Sequence, residues 1–114
     1  MEFKIINPTV IQESMMHSDE LIKQFIELYL FQCPLDFEVL TTSISQKNLK
    51  EIAAAAHHIK PTMEYIGASN LRVEFQELEN LSNKGASIEE IEAHFSVLKP
   101  KFELMLVELA HFNT

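Results

Sequence analysis

Residues 87–112 read SIEEIEAHFSVLKPKFELMLVELAHF, and apolar side chains recur along this stretch in alternating steps of three and four residues. That spacing gathers them on one side of an α-helix. An uninterrupted heptad rhythm is typical of a helix that packs lengthwise against antiparallel neighbours. The pattern therefore predicts one long helix of a helical bundle. The stripe consists of Ile88, Ile91, Phe95, Leu98, Phe102, Met105, Leu109 and Phe112.

The limits of this helix are marked by local signals. Ser87 and Glu90 are spaced as a capping box, in which each side chain accepts from a backbone amide of the first turn. Pro100 is expected to bend the helix without ending it, because the apolar stripe continues on both sides of the proline.

Helical spacing also runs through the preceding residues, and no useful segment alternates with the period of two that a strand requires. Asn7, Ser18, Asn48 and Ser69 stand where helices are expected to begin, and Gly67 stands where one is expected to end. The predicted helices run from Asn7 to about Met15, from Ser18 to Cys33, from Pro34 to about Gln46, from Asn48 to about Ile66, and from Ser69 to just before Asn83. The helix after Ser18 is expected to face inward with Leu21, Ile22, Phe25, Leu28 and Tyr29.

These segments predict an all-α protein. The connections are short, which favours antiparallel neighbours, so we expect an up-down four-helix bundle with an additional N-terminal helix or cap. A chain of 114 residues has room for one core. Within this single domain, residues 1–17 are expected to form the N-terminal cap and residues 18–114 the bundle.

Composition excludes several classes of function. With only two glycines the chain cannot contain a GxGxxG loop or a Walker P-loop, and a formal net charge of −8 disfavours nucleic acid as a partner. The single cysteine, Cys33, excludes an internal disulfide and a CxxC zinc site. No apolar run approaches about 20 residues, so we expect no contact with a membrane and a cytoplasmic location.

The residues that a bundle does not need lie in AAAAHHIKP, residues 53–61. On a helix, His57, Lys60, Pro61 and Glu64 fall on one stripe outside the buried face. Small alanines before the histidine keep the neighbouring surface low. His57 is therefore expected to be accessible to something as large as another protein.

The hairpin between this helix and the next supplies partners for the stripe. If the connection centres near Ala68, antiparallel residues at one level have numbers that add up to about 136, which pairs His57 with Glu79 and Lys60 with Gln76. A carboxylate that accepts from His57 Nδ1–H fixes the tautomer and leaves Nε2 as the nucleophile.

These residues resemble the motif of the histidine-containing phosphotransfer (HPt) domain of two-component phosphorelays. The resemblance covers residues 18 to 112. It implies that His57 carries a phosphoryl group, that Glu79 orients the imidazole and that Lys60 interacts with the phosphoryl oxygens. The matching positions are Ala56-His57-His58-Ile59-Lys60, Gly67-Ala68, Leu71, Phe75 and Leu78-Glu79.

The resemblance also implies the partners. They are a response-regulator receiver domain, a hybrid sensor histidine kinase, or both, and they dock on a surface that includes Pro61, Glu64 and Gln76. The chain would be a phosphocarrier and not an enzyme, with no cofactor of its own, because the receiver domain supplies Mg²⁺.

Pro61 departs from the family, which has glycine at this position beside the docked receiver, and is expected to kink the helix at His57. This departure motivates a second interpretation, a non-transferring adaptor that binds or sequesters a receiver domain. A third interpretation is a small enzyme in which His57 and Glu79 act together as a general base. His58 is interpreted as a solvated side chain. The remaining histidines, His17, His94 and His111, have no metal-ligand spacing, and no metal site is expected.

Overall fold

The computed structural model describes residues 2–113, and this part of the chain consists of five α-helices without any strand. The predicted all-α class is therefore confirmed. Met1 and Thr114, the outermost residues of the two predicted ranges 1–17 and 18–114, lie outside the described residues. The helices are α1 (Pro8–Ser14), α2 (Asp19–Ser45), α3 (Leu49–Tyr65), α4 (Ser69–Asn83) and α5 (Ile88–Phe112).

Most of the helices begin where the sequence predicts. Four have a polar residue at the N-cap whose side chain accepts from an amide of the first turn, which satisfies donors that have no partner within the helix. Only α4 lacks such a cap, because Ala68 precedes it. The capping residues are Asn7, Ser18, Asn48 and Ser87.

The prediction that a helix ends at Cys33-Pro34 is wrong. Helix α2 is 27 residues long and continues through Pro34. A proline inside a helix removes one hydrogen bond and costs about 3 kcal/mol. Here the buried stripe keeps its helical phase across the proline, so continuing the helix buries more apolar surface than breaking it would. That stripe comprises Ile22, Ile26, Cys33, Phe37, Leu40 and Ile44.

Two side chains that were expected to face inward from α2, Phe25 and Leu28, are exposed. The stripe that the structure buries lies on the side of Ile22 and Ile26 instead, and Leu21 and Tyr29 are half-buried at its margins. The inward stripe predicted for α5 is buried or half-buried along its whole length. Cys33 is buried, as expected for a small core residue.

The four long helices contact one another in a closed sequence: α2 packs on α3, α3 on α4, α4 on α5, and α5 on α2. Their apolar stripes meet in one core cluster. The molecule measures 43 × 22 × 18 Å, so its length is close to that of α2. Within residues 2–113 no helix has the length and apolar character needed to cross a membrane.

The N-terminal segment is tied to this body at two places. The Asn7 amide donates to the Ile66 carbonyl at the end of α3, at 3.0 Å. At the other place, the buried carboxylate of Glu108 on α5 accepts from the amides of Lys4, Ile5 and Ile6. The segment therefore joins the α3–α4 turn to the last helix.

Gly67, in the turn after α3, lies where an added Cβ atom would overlap the N-terminal segment. Its φ is +70°, in the left-handed region, and an added Cβ would lie 2.6 Å from the Asn7 Cβ and 2.9 Å from the Val10 Cβ. Gly85 has a similar φ of +76° but has no neighbour within 4 Å of such an atom. Substitution of either glycine would therefore strain the backbone, but only a side chain at Gly67 would overlap neighbouring atoms.

Substitution of Gly67 by alanine is expected to lower the free energy of unfolding by about 3 kcal/mol, from the left-handed backbone and overlap with the N-terminal segment. The matched control, Gly85→Ala, has only the backbone effect and is expected to cost about 1 kcal/mol. Urea unfolding followed by circular dichroism measures both. Equal losses in the two variants would show that the N-terminal segment does not press on the turn.

Candidate functional site

His57 stands on the exposed side of α3, where its side chain is 69% exposed. The expectation that the alanines before His57 form the low surface beside it is wrong, because Ala53, Ala55 and Ala56 are buried and only Ala54 is exposed. Ile59 and Met63 also anchor the helix in the core. Its Nδ1 lies 3.3 Å from each carboxylate oxygen of Glu79 on α4. The contact predicted from the hairpin register is present.

Lys60, one turn after His57, lies behind that contact and not in front of it. Its side chain is only 13% exposed. The Nζ atom lies 2.8 Å from Glu79 Oε1 and also donates to Gln76 Oε1. Glu79 therefore stands between two basic side chains of α3, and the predicted level pairing of Lys60 with Gln76 is present as well.

The charge state of Glu79 follows from these neighbours. Burial alone would raise the pKa of this carboxyl, but the hydrogen bond and charge of Lys60, and then those of His57, hold the pKa below its usual value. Glu79 is thus a carboxylate at neutral pH and can only accept hydrogen bonds. In neutral His57 the proton therefore belongs on Nδ1, which leaves the Nε2 lone pair unprotonated.

This lowered pKa makes a prediction about acid stability. A carboxyl whose pKa is lower in the folded state stabilises the protein above its unfolded pKa, about 4.3, and loses that contribution as the pH falls through the folded value. Glu79→Gln is expected to cost about 1 kcal/mol at pH 5, and the difference from the unsubstituted protein should shrink towards pH 3. Urea unfolding at several pH values measures the difference.

Glu77→Gln is the control for this titration, because Glu77 is an exposed carboxyl on the same helix. It should show no comparable dependence on pH. A cost of Glu79→Gln that stays constant between pH 5 and pH 3 would contradict the assigned ionisation of Glu79.

A shallow depression of 190 Å³ lies beside His57. The two remaining docking residues of the prediction, Pro61 and Glu64, line it and are exposed, and Arg72 of α4 lines it from the other side. Arg72 Nε donates to Glu64 Oε2 at 3.3 Å. The structure therefore brings all six predicted site residues to the α3–α4 face, with Gln76 entering through its bond to Lys60.

Sequence reasoning missed three features of this region. One is Arg72, which the same level rule pairs with Glu64. A second is the neighbour of His58, whose Nε2 lies 3.7 Å from Asp36 Oδ1 on α2, so that the adjacent histidine has a carboxylate on the opposite side of α3.

The third missed feature is an exposed apolar surface on α2. It repeats at helical spacing outside the buried stripe, and this second stripe was the available signal. Tyr65 connects it with the site, because Tyr65 lines both the depression beside His57 and a 240 Å³ depression against Phe25 and Tyr29. The exposed apolar residues of α2 are Phe25, Leu28, Phe31, Leu35 and Val39.

Other reactive groups offer no alternative centre in the part of the chain that the structure describes. Burial, and to a lesser degree the charge of Asp36, raises the pKa of the Cys33 thiol to about 12, so the thiol stays protonated and unreactive at neutral pH. Residues 2–113 contain no group of three or more histidine, cysteine or acidic side chains arranged to hold a metal ion.

Comparison of the chain with protein-family models, with curated proteins and with solved structures gives no match. The functional assignment therefore depends on the residues and their geometry. What these residues offer chemically is an exposed imidazole whose Nδ1 faces a carboxylate and whose Nε2 is a nucleophile in the neutral ring.

Proposed function

We propose that the chain is an HPt-type phosphocarrier in which His57 accepts a phosphoryl group from one receiver domain and passes it to another. The observation that carries the proposal is the contact of exposed His57 with Glu79, a carboxylate that also forms an ion pair with the mostly buried Lys60. An ordinary surface histidine has no need of a carboxylate neutralised from behind by a mostly buried lysine.

The proposed step conserves every atom and charge. The Nε2 lone pair of His57 attacks the phosphorus of an aspartyl phosphate, the P–O bond to the aspartate breaks, and the aspartate leaves as a carboxylate. His57 keeps its proton on Nδ1, so the phosphorylated ring carries one positive charge, which Glu79 stabilises across 3.3 Å. Attack by a second aspartate on the same phosphorus reverses the step. The partner supplies the Mg²⁺ ion, which lowers the charge on the transferring group.

The proposed architecture is an antiparallel up-down bundle of α2 to α5 with α1 as a cap. It is supported by three contacts between α3 and α4, in which a residue further along α3 meets a residue nearer the start of α4. These contacts are His57 with Glu79, Lys60 with Gln76, and Glu64 with Arg72.

The proposed partners are a response-regulator receiver domain, a hybrid sensor histidine kinase, or both, in the cytoplasm. The docking surface extends from Pro61, Glu64 and Gln76 through Tyr65 to the exposed apolar side chains of α2. An apolar patch beside polar residues is the usual composition of a protein interface.

The proposal is tested by incubating the chain with a receiver domain that carries an aspartyl phosphate. The phosphoryl group is expected to move to the chain and to form a bond that is labile in acid and stable in base, as a phosphoramidate is. A chain that takes up no phosphoryl group from phosphorylated receivers, tested as a panel, would contradict the proposal.

Pro61 favours one alternative, a non-transferring adaptor. A proline has no amide to donate to the His57 carbonyl, and its ring is bulkier than the glycine of the family at the site of close approach. The adaptor would bind a receiver with unchanged affinity after His57→Ala and would take up no label. The phosphocarrier is labelled.

A further inference from the structure

Among residues 2–113, the depression beside His57 is lined by one lysine and one arginine, Lys60 and Arg72. A phosphoryl group on His57 Nε2 is a dianion near neutral pH, and a nearby cation that donates to its oxygens stabilises it. The two differ in what they already bind, and this difference decides which one is available.

Lys60 is committed. Its ammonium group is mostly buried, and it bonds to Glu79 and Gln76. If Lys60 swung out towards solvent, the partly buried Glu79 would lose its nearest positive charge, which opposes the movement. The same movement would remove the main neighbour that lowers the pKa of Glu79.

Arg72 is available. Its side chain is 41% exposed, and it forms an ion pair at 3.3 Å with the still more exposed carboxylate of Glu64. Ion pairs between exposed side chains contribute little to stability because water competes for both partners. A guanidinium group also has two parallel donors that fit phosphate oxygens, which a single ammonium group lacks.

We infer that Arg72 binds the phosphoryl group on His57 and leaves Glu64 when it does so, whereas Lys60 is a positioning residue that acts through Glu79. This inference rests on the proposed function, in that it takes His57 as the residue that carries the phosphoryl group. Arg72 and His57 line the same depression. Arg72 lies level with Glu64 of α3. Glu64 follows His57 by seven residues, which is about 10 Å along the helix axis.

Arg72 is the only arginine in the sequence, so a protein labelled with ¹⁵N on arginine gives a single Nε–H signal. His57 is phosphorylated with the small-molecule donor phosphoramidate, and the same treatment is applied to His57→Gln. The Arg72 signal is expected to move downfield in the unsubstituted protein and to stay in place in His57→Gln. An unchanged signal in protein phosphorylated at His57, or the same movement in both proteins, would overturn the inference.

A second readout follows the phosphoryl group itself by ³¹P NMR titration. Arg72→Gln is expected to raise the second pKa of the phosphoryl group by about one pH unit, because it removes a nearby positive charge, and Arg72→Lys should restore part of the difference. The matched control is Lys50→Gln. Lys50 is exposed and lies seven residues before His57 on the same helix. Its substitution therefore removes one charge at a similar axial distance from His57.

Lys50→Gln is expected to shift that pKa by only a small fraction of the effect of Arg72→Gln, since separated exposed charges are screened. Equal shifts for the two variants would overturn the inference. If a receiver transfers its phosphoryl group to His57 but the Arg72 signal does not respond, the inference is contradicted and the proposed function stands. A response of Arg72 to chemical phosphorylation without transfer from any receiver does the reverse, and failure to phosphorylate His57 by either route contradicts both.

Discussion

Replacement of Glu108 by alanine is expected to lower the free energy of unfolding by about 3 kcal/mol, a large part of the total for a chain of this size. Glu108 is only 1% exposed. Its Oε2 accepts from the Lys4 amide at 2.9 Å, and its Oε1 accepts from the Ile5 and Ile6 amides at 3.0 Å each. Removal of the carboxylate takes the acceptor from three amides, of which that of Ile6 is in a buried bond. A buried unsatisfied donor costs about 1–3 kcal/mol.

The Glu108→Gln variant separates hydrogen bonding from packing. The amide keeps the shape of the side chain and one accepting oxygen, but its NH₂ group faces an amide where the carboxylate accepted. We expect a loss of about 2 kcal/mol, between that of alanine and that of the unsubstituted protein. Glu103→Ala is the control for the change in helix propensity, because Glu103 is exposed on the same helix.

Urea unfolding measures the global effect, and hydrogen exchange at residues 4–6 measures the local one. In Glu108→Ala the amides of Lys4, Ile5 and Ile6 should lose protection first. If Glu108→Ala and Glu103→Ala had the same stability, the N-terminal segment would not depend on this carboxylate.

Periodic features of the fold were predictable from sequence. The heptad stripe of α5 and the polar caps at Ser18, Asn48 and Ser87 are local, and each acts through neighbours three or four residues away. The break at Pro34 was predicted wrongly because the cost of a proline is a local quantity, whereas the packing that outweighs it comes from the other helices.

The central contacts of the candidate site were predictable for a related reason. A helical hairpin fixes which residues lie level with one another, so locating the turn at Gly67-Ala68 was enough to pair His57 with Glu79. The role of Glu108 was not predictable in this way, because its partners lie more than 100 residues away in the sequence. Nothing in the local pattern around Glu108 identifies backbone amides at the other end of the chain as its ligands.

The bond of Lys60 to Glu79 also became clear only from the structure. Residue spacing assigned it a place one turn from His57, and the resemblance to HPt domains implied contact with the phosphoryl oxygens. Its low exposure and its bond to Glu79 are properties of the packed hairpin. They place the lysine where it lowers the pKa of Glu79, the carboxylate that faces His57 Nδ1.

The second large effect concerns His57 and His58, which are adjacent, similarly exposed and each close to a carboxylate. Only His57 has a carboxylate at 3.3 Å from Nδ1, which leaves Nε2 free, and only His57 lines the depression with Lys60 and Arg72. Substitution of His57 by glutamine is therefore expected to abolish phosphoryl transfer, while the matched His58→Gln variant should retain it. The difference between two neighbouring histidines isolates chemistry from any general effect on folding or docking.

The most direct test of the phosphocarrier account is phosphoryl uptake from a phosphorylated receiver by the unsubstituted chain, His57→Gln and His58→Gln, side by side. The account predicts acid-labile label on the unsubstituted chain and on His58→Gln, and none on His57→Gln. Label retained by His57→Gln would contradict it.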